Sequence, residues 1–389
     1  MLNLDRRNGL IFLAGWGAFL VGNLAQALAP LIVQAITQHM SMATGKAGYL
    51  VSAEFIGIAL TAILIGPFIN RLPKRKTAII GCLVAVTMHI ISIQFISSYT
   101  TLLLMRFFAG LGAGATLAAG GAIIAAAAAP DRMFALVKTF NAMVMAVMIW
   151  LAGYAVKGYG VGGGYGVLAL IVFCTLPLLY CFPANVVEKQ NNAKSRLPHF
   201  VLGCLTLFAV LNWVMVVSAP WVYLAIMGER SGLAIEQISG LLGAGFIIGM
   251  AGGLLAAWLD LRFGRIIPII AGILFNGVTW LLICAVPHPV VYTISVLLNN
   301  ISFFFTLPYL LGTMAALDRE GRWASIAATS FLGAIAIAPA VGGLIMDHWN
   351  AATLGVFTLT GGLITAVLIV FVVIRLAVHL KLETAVTTG

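Results

Sequence analysis

The sequence predicts an all-α membrane protein, with twelve transmembrane helices in two pseudo-symmetric bundles of six. Three observations predict it. The chain is 62% hydrophobic and only 8% charged, whereas ordinary soluble domains carry about 25% charged residues. Apolar runs of about 20 residues, each able to cross roughly 30 Å of hydrocarbon, recur from end to end. The basic residues collect on one side of those runs, and polar features of the first half return in the second.

The spans are read at 8–33, 46–70, 77–97, 101–128, 133–156, 165–183, 199–226, 235–258, 266–286, 290–315, 324–346 and 352–376. Twelve crossings put both termini and the even-numbered turns on one side. That side holds Arg6, Arg7, Arg71, Lys74, Arg75, Lys76, Arg132, Lys189, Lys194, Arg196, Arg262, Arg265, Arg319, Arg322 and Lys381. The other side holds Lys46, Lys157 and Arg230. By the positive-inside rule the termini are expected in the cytoplasm. The net charge of +10 therefore reports topology, and no nucleic-acid partner is expected. Ala27-Leu28-Ala29 imitates a signal-peptide cleavage site, but the run is long, carries Asn23 and Gln26, and meets Pro30 where a cut would fall. An uncleaved first span is expected. Cys82, Cys174, Cys181, Cys204 and Cys284 lie in or beside spans without CxxC spacing, which suggests neither a disulfide framework nor a metal site. No cofactor is expected.

The polar stretch Asn185–Pro198 separates residues 1–184 from 199–389, so 185–198 reads as a cytoplasmic linker between two six-helix bundles. Features recur across it. Gly66–Lys76 (GPFINRLPKRK) follows span two, and Ala256–Ile266 (AAWLDLRFGRI) follows span eight. Asp131-Arg132 follows span four, and Asp318-Arg319 follows span ten. Duplicated six-helix halves are a transporter architecture with the substrate site near the midplane.

These motifs resemble those of the major facilitator superfamily. The family's signature after span two, Gly-x-x-x-Asp-Arg-x-Gly-Arg-Arg-Lys, is met by Gly66, Arg71, Lys74, Arg75 and Lys76, with Asn70 in the aspartate's place and Pro73 in the second glycine's. The second copy keeps Asp260 and Gly264-Arg265 with one extra residue between them. The span-four signature Arg-x-x-x-Gly-x-Gly-x-Gly is complete as Arg106, Gly110, Gly112 and Gly114. The resemblance implies the family's two-bundle fold and alternating access. It also implies that the turn after span two latches the halves in the outward-facing state, more weakly here because Asn70 cannot form an ion pair. The drug-antiporter pattern Gly-Pro-x-x-Gly-Gly is missing from span five, with a near match at Ala338–Gly343 in span eleven. That near match tilts the reading toward bacterial efflux-type members and the bacterial cytoplasmic membrane.

Charges deep in a span are costly and face the protein interior or water. Counted inward at about 1.5 Å per residue, Arg106 lies roughly 9 Å deep, with Glu54 and His89 at about 12 Å. Glu54 is expected to couple transport to protons with Arg106 as partner, and His89 is a candidate relay. A permanent ion pair that only holds helices together is the competing reading. Lys138 and Asp347 lie near span ends, where snorkelling accounts for them. Gly110, Gly112 and Gly114 give the fourth helix a smooth face for close packing. A phosphate-cradling loop there is excluded, since membrane helix precedes and follows it.

In the family, spans one, four, seven and ten line the central cavity. Carried onto this chain, the candidates are Asn23 and Gln26, then Asn212, Trp213 and Trp221, then Asn299, Asn300 and Tyr309. The expected function is secondary active transport of a small organic solute, coupled to protons, by a monomer in contact with membrane lipids. Efflux is slightly favoured over uptake of an organic anion or other metabolite. A solute sensor without net transport is the alternative class. No Walker motif supports ATP-driven transport, and no HExxH or paired aspartates support an intramembrane enzyme.

Overall fold

A computed structural model describes residues 6–127, 129–183, 199–317 and 322–388, and within these the side chains of residues 6, 67, 70, 131, 322, 324, 325, 328, 329 and 377–388 lie outside the description. The linker 185–198 and the Asp318-Arg319 repeat also lie outside the described residues. Every element is helical. In order they are α1 Arg6–His39, α2 Thr44–Ile65, a 3-10 segment Gly66–Arg71, α3 Lys74–Gln94, α4 Tyr99–Ala125, α5 Pro130–Cys174 and the short α6 Leu176–Leu179. The second half runs α7 Phe200–Trp221, the short α8 Leu224–Arg230, α9 Ile235–Leu259, α10 Ile266–Ala285, α11 Pro289–Ala315, α12 Arg322–His348 and α13 Ala351–Thr388.

Eleven described helices are long and apolar enough to cross a membrane. One of them crosses twice. Helix α5 has 45 residues, about 67 Å of helix at 1.5 Å per residue, and it breaks at Gly160 with φ 56° and ψ −137°. A side chain would be strained at that φ. Beyond the break a Cβ on Gly163 would overlap the Ala155 carbonyl, although residues eight apart in a straight helix are about 12 Å apart. The chain therefore folds back on itself, and spans five and six form one hairpin. The sequence reading ends span five at 156 and begins span six at 165, whereas helix runs up to Gly160 from both sides and Gly160 makes the reversal.

The same packing recurs in both halves. Helix α2 packs on α4 as α9 does on α11, α3 on α4 as α10 on α11, and α1 on α5 as α7 on α12. Between the halves the main contacts are α2 with α12 and α5 with α9, an equivalent pair under that repeat. The signature glycines explain how close the helices come. A Cβ on Gly110 would overlap the Glu54 carbonyl oxygen, and one on Gly114 would overlap that of Ile58, so both seat α4 against α2. Gly112 faces Gly81 of α3 in the same way. Without a hydrophobic drive between helices in lipid, such backbone proximity supplies the dispersion and close contact that hold them.

Candidate functional site

The three ionisable residues singled out by depth meet in one buried cluster inside the first half. Arg106 of α4 is 1% exposed, Glu54 of α2 is 4% and His89 of α3 is 2%. Arg106 Nη1 lies 3.4 Å from Glu54 Oε2 and 2.8 Å from His89 Nδ1. Its Nη2 donates to the Met88 carbonyl at 3.1 Å and to Ser92 Oγ. The guanidinium stacks over the Tyr165 ring, 4.2 Å from its centroid. A guanidinium donating to Nδ1 makes that nitrogen the acceptor, so the imidazole hydrogen sits on Nε2, 4.0 Å from Glu54 Oε1. Tyr165 and Ser92 were not among the sequence candidates, because a lone hydroxyl in an apolar run carries no depth signal of its own.

A second site lies between the halves. A cavity of about 280 Å³ is walled by α1, α5, α7, α9, α10, α11 and α12. Of the sequence candidates, Asn23, Gln26, Trp221, Asn299 and Asn300 line it. Asn212, Trp213 and Tyr309 do not. Asn212 donates to the Gly361 carbonyl and Thr365 Oγ1, tying α7 to α13. Trp213 is buried and stacked on Phe303 with centroids 5.3 Å apart. Tyr309 donates to the Asp260 carbonyl at 3.0 Å, bracing the turn after α9. Helix α4 contributes nothing to the wall, so Arg106 does not reach the cavity. Its place is taken by α5, through Lys138, Asn141, Ala142 and Met145. Their spacing is that of one helix face, the signal that could have found Lys138. The Lys138 side chain is exposed and lines this space.

The cavity is sealed at the end away from the termini. Gly45 N donates to Asp347 Oδ1 at 2.9 Å, which replaces the snorkelling expected of Asp347. Ala340 N donates to Ser52 Oγ at 3.0 Å. Tyr223 Oη donates to the Pro339 carbonyl at 2.5 Å, directly over Gly48. Lys157 pairs with Glu236, and Gln34 and Gln38 both donate to Glu229 Oε1. Trp221 Nε1 donates to the Gln26 carbonyl at 3.0 Å, closing the seal just above the cavity. Hydrogen bonds and an ion pair between described residues of the two halves gather at this end and at the cavity's roof. The Ala338–Gly343 stretch, read from sequence as part of a signature, is the surface on which α12 meets α2 and α7.

Glu229, on the short α8 beyond the span, gives the seal a pH dependence. Burial pushes its carboxyl up from the usual carboxylate range, and the Gln34 and Gln38 amides oppose this. The native state thus holds the proton more tightly than the unfolded chain does. Glu229 contributes stability that is present below the ordinary carboxylate pKa and lost as pH rises through the raised native value. Thermal unfolding across pH should show this acid-side gain, and Glu229→Gln should abolish it while unfolding no earlier than the parent at neutral pH. A variant with the parent's pH slope contradicts the assignment.

At the termini end the motif residues are anchored differently in the two halves. Arg265 donates to the Gly312 carbonyl near the end of α11, capping it. Asp260 ends α9 at φ 46°, and Gly66 caps the end of α2. Arg75 lies over the Tyr180 ring, 5.0 Å from its centroid, whereas Arg71 and Lys76 are exposed. The Asn70 side chain is outside the described residues.

Known proteins share this arrangement. The sequence pattern of the Major Facilitator Superfamily matches residues 14–318. A D-xylose transporter of Levilactobacillus brevis is 23% identical over 158 residues, 40% of this chain and 34% of its own length. The chain thus matches about a third of that curated relative. Among solved structures, a D-xylose-proton symporter superposes with TM-score 0.72 at 14% identity, covering 92% of this chain and 96% of the other. A bacterial homologue of the human lysosomal transporter Spinster, in an inward-facing and unoccupied conformation, superposes with TM-score 0.67 at 14% identity over 97% and 96%. With a pattern match over most of its length and a helical architecture shared from end to end, the chain belongs to the Major Facilitator Superfamily.

Proposed function

We propose that the chain is a secondary transporter that carries a small organic solute by alternating access. The observation that carries this reading is a cavity between two like halves, with bonds between described residues of the two halves gathered at one end. Such a cavity opens to the other side if the halves rock, because the seal consists of a few exchangeable hydrogen bonds and ion pairs. The placement of lysine and arginine supports cytoplasmic termini, which makes this the inward-facing state, in the cytoplasmic membrane of a bacterium. We take the working unit to be one chain in lipid.

Coupling to protons rests on α2. Residues 45–52 of that helix make the seal, and Glu54 follows one half-turn later in the buried cluster. Rocking that frees Gly45, Gly48 and Ser52 from α12 moves the helix that presents Glu54 to Arg106. Protonation of Glu54 removes the partner of a buried arginine, so proton uptake and helix movement oppose or assist one another. The likeness to a proton symporter is consistent with this. Direction is a separate matter. The Ala338–Gly343 segment that suggested export packs the seal, a task needed by a carrier of either direction.

Counterflow in proteoliposomes tests the proposal. Vesicles loaded with unlabelled solute should accumulate labelled solute without any proton gradient. A solute that binds the purified protein but shows no counterflow would make the chain a sensor and sink the transport reading.

A further inference from the structure

We propose that the cavity selects an amphipathic organic anion, with the anionic group held by the Lys138 ammonium and the apolar body against an aromatic wall. This rests on reading the cavity as the solute site and names the solute's chemical class.

Lys138 is the sole ionisable side chain among the residues that line the cavity. Among the described residues no carboxylate lies within ion-pairing distance of it. A cation inside a membrane protein without a fixed counter-ion marks a ligand path or site. Lys138 is not the sole unmatched group there. Asn141, one turn further along the same face of α5, is 8% exposed and its Oδ1 has no hydrogen-bond partner. Across the space Trp280 of α10 is 2% exposed and its Nε1 has none either. Most buried polar atoms in proteins are satisfied. Both orphans belong to residues of the cavity wall but are covered in this state, so a solute meets them once the Asn141 amide and the Trp280 ring turn toward the space. The rest of the wall is apolar and largely aromatic, with Trp221 and Phe246 edge to face at 5.8 Å and Phe303 and Phe304 likewise at 5.6 Å.

The solute that satisfies this wall has one negative charge for Lys138, a donor for Asn141 and an acceptor for Trp280. Its flat or compact apolar body meets the rings. The cavity of about 280 Å³ sits at the lower edge of the roughly 300–1,000 Å³ typical of small-molecule sites, which suits a single-ring acid. A hydroxyl-bearing aromatic carboxylate supplies all three polar groups. Sugars do not, since they leave the ammonium without a counter-charge.

The test uses the purified full-length protein. Quenching of tryptophan fluorescence reports occupancy beside Trp221 and Trp280. The probes are benzoate, phenylacetate and 4-hydroxybenzoate, each against its neutral amide. At least one carboxylate should bind more tightly than its amide. Lys138→Gln should weaken that carboxylate by about ten- to a hundredfold, the worth of a charge-assisted bond, and leave the amide unchanged. Lys138→Arg should keep the carboxylate within a few-fold of the parent, which shows that loss in the glutamine variant is not misfolding. Amides that bind as well as the acids, acids that bind Lys138→Gln undiminished, or no acid bound at millimolar concentration would each overturn the proposal. Acid binding that depends on Lys138 without counterflow removes only the transport reading. Counterflow of neutral solutes alone removes only this one.

Discussion

Arg106→Gln should be the most damaging substitution in the membrane, lowering stability by about 3–5 kcal/mol and abolishing transport. The guanidinium is 1% exposed and bonds to side chains of α2 and α3 and a backbone carbonyl of α3, while Tyr165 of the returning α5 covers its face. Glutamine is too short to reach those partners and leaves Glu54 as an uncompensated buried carboxylate, which costs more than the pair gains. Thermal unfolding in nanodiscs reads the loss. The double variant Arg106→Gln/Glu54→Gln should recover part of it, because the stranded charge is gone, with a coupling of about 0.5–3 kcal/mol. Purely additive losses would show that the two residues do not act as a pair.

Glu54→Gln should separate exchange from accumulation. Counterflow needs only rocking of the loaded halves, which glutamine allows, since it can still accept from Arg106. Accumulation against a gradient needs a proton to be taken up and released, which glutamine cannot do. A proton gradient should therefore drive no accumulation in the variant, and its counterflow should no longer respond to pH. If the ion pair is only a fastener, the result reverses: accumulation survives and unfolding comes earlier.

Much of this was legible in the sequence for one physical reason. In lipid, length and apolarity dictate crossing, so the spans could be placed by counting. Gly160 escaped because a reversal made by one residue leaves no polar loop to read. Depth was legible too, since 1.5 Å per residue converts position into height, and that arithmetic put Glu54, His89 and Arg106 at one level. Facing was not. Spans that are apolar all round lose the amphipathic stripe that orients a helix in water. Asn212, Trp213 and Tyr309 were therefore placed on the cavity by analogy, yet their faces turn to α13, Phe303 and the Asp260 turn. Lys138 was discounted by its closeness to a span end. Its shared face with Asn141 and Met145 carried the information.

Alternating access is the central claim, and a cavity cysteine tests it most directly. With Cys82, Cys174, Cys181, Cys204 and Cys284 replaced by serine, Ala142→Cys places one thiol on the cavity wall. A membrane-impermeant maleimide is added to proteoliposomes from one side or the other, with and without solute and a proton gradient. The account predicts labelling from the termini side at rest, and labelling from both sides once transport turns over, the second lost in Arg106→Gln. Labelling confined to the termini side under every condition, in protein that still exchanges solute, would contradict it.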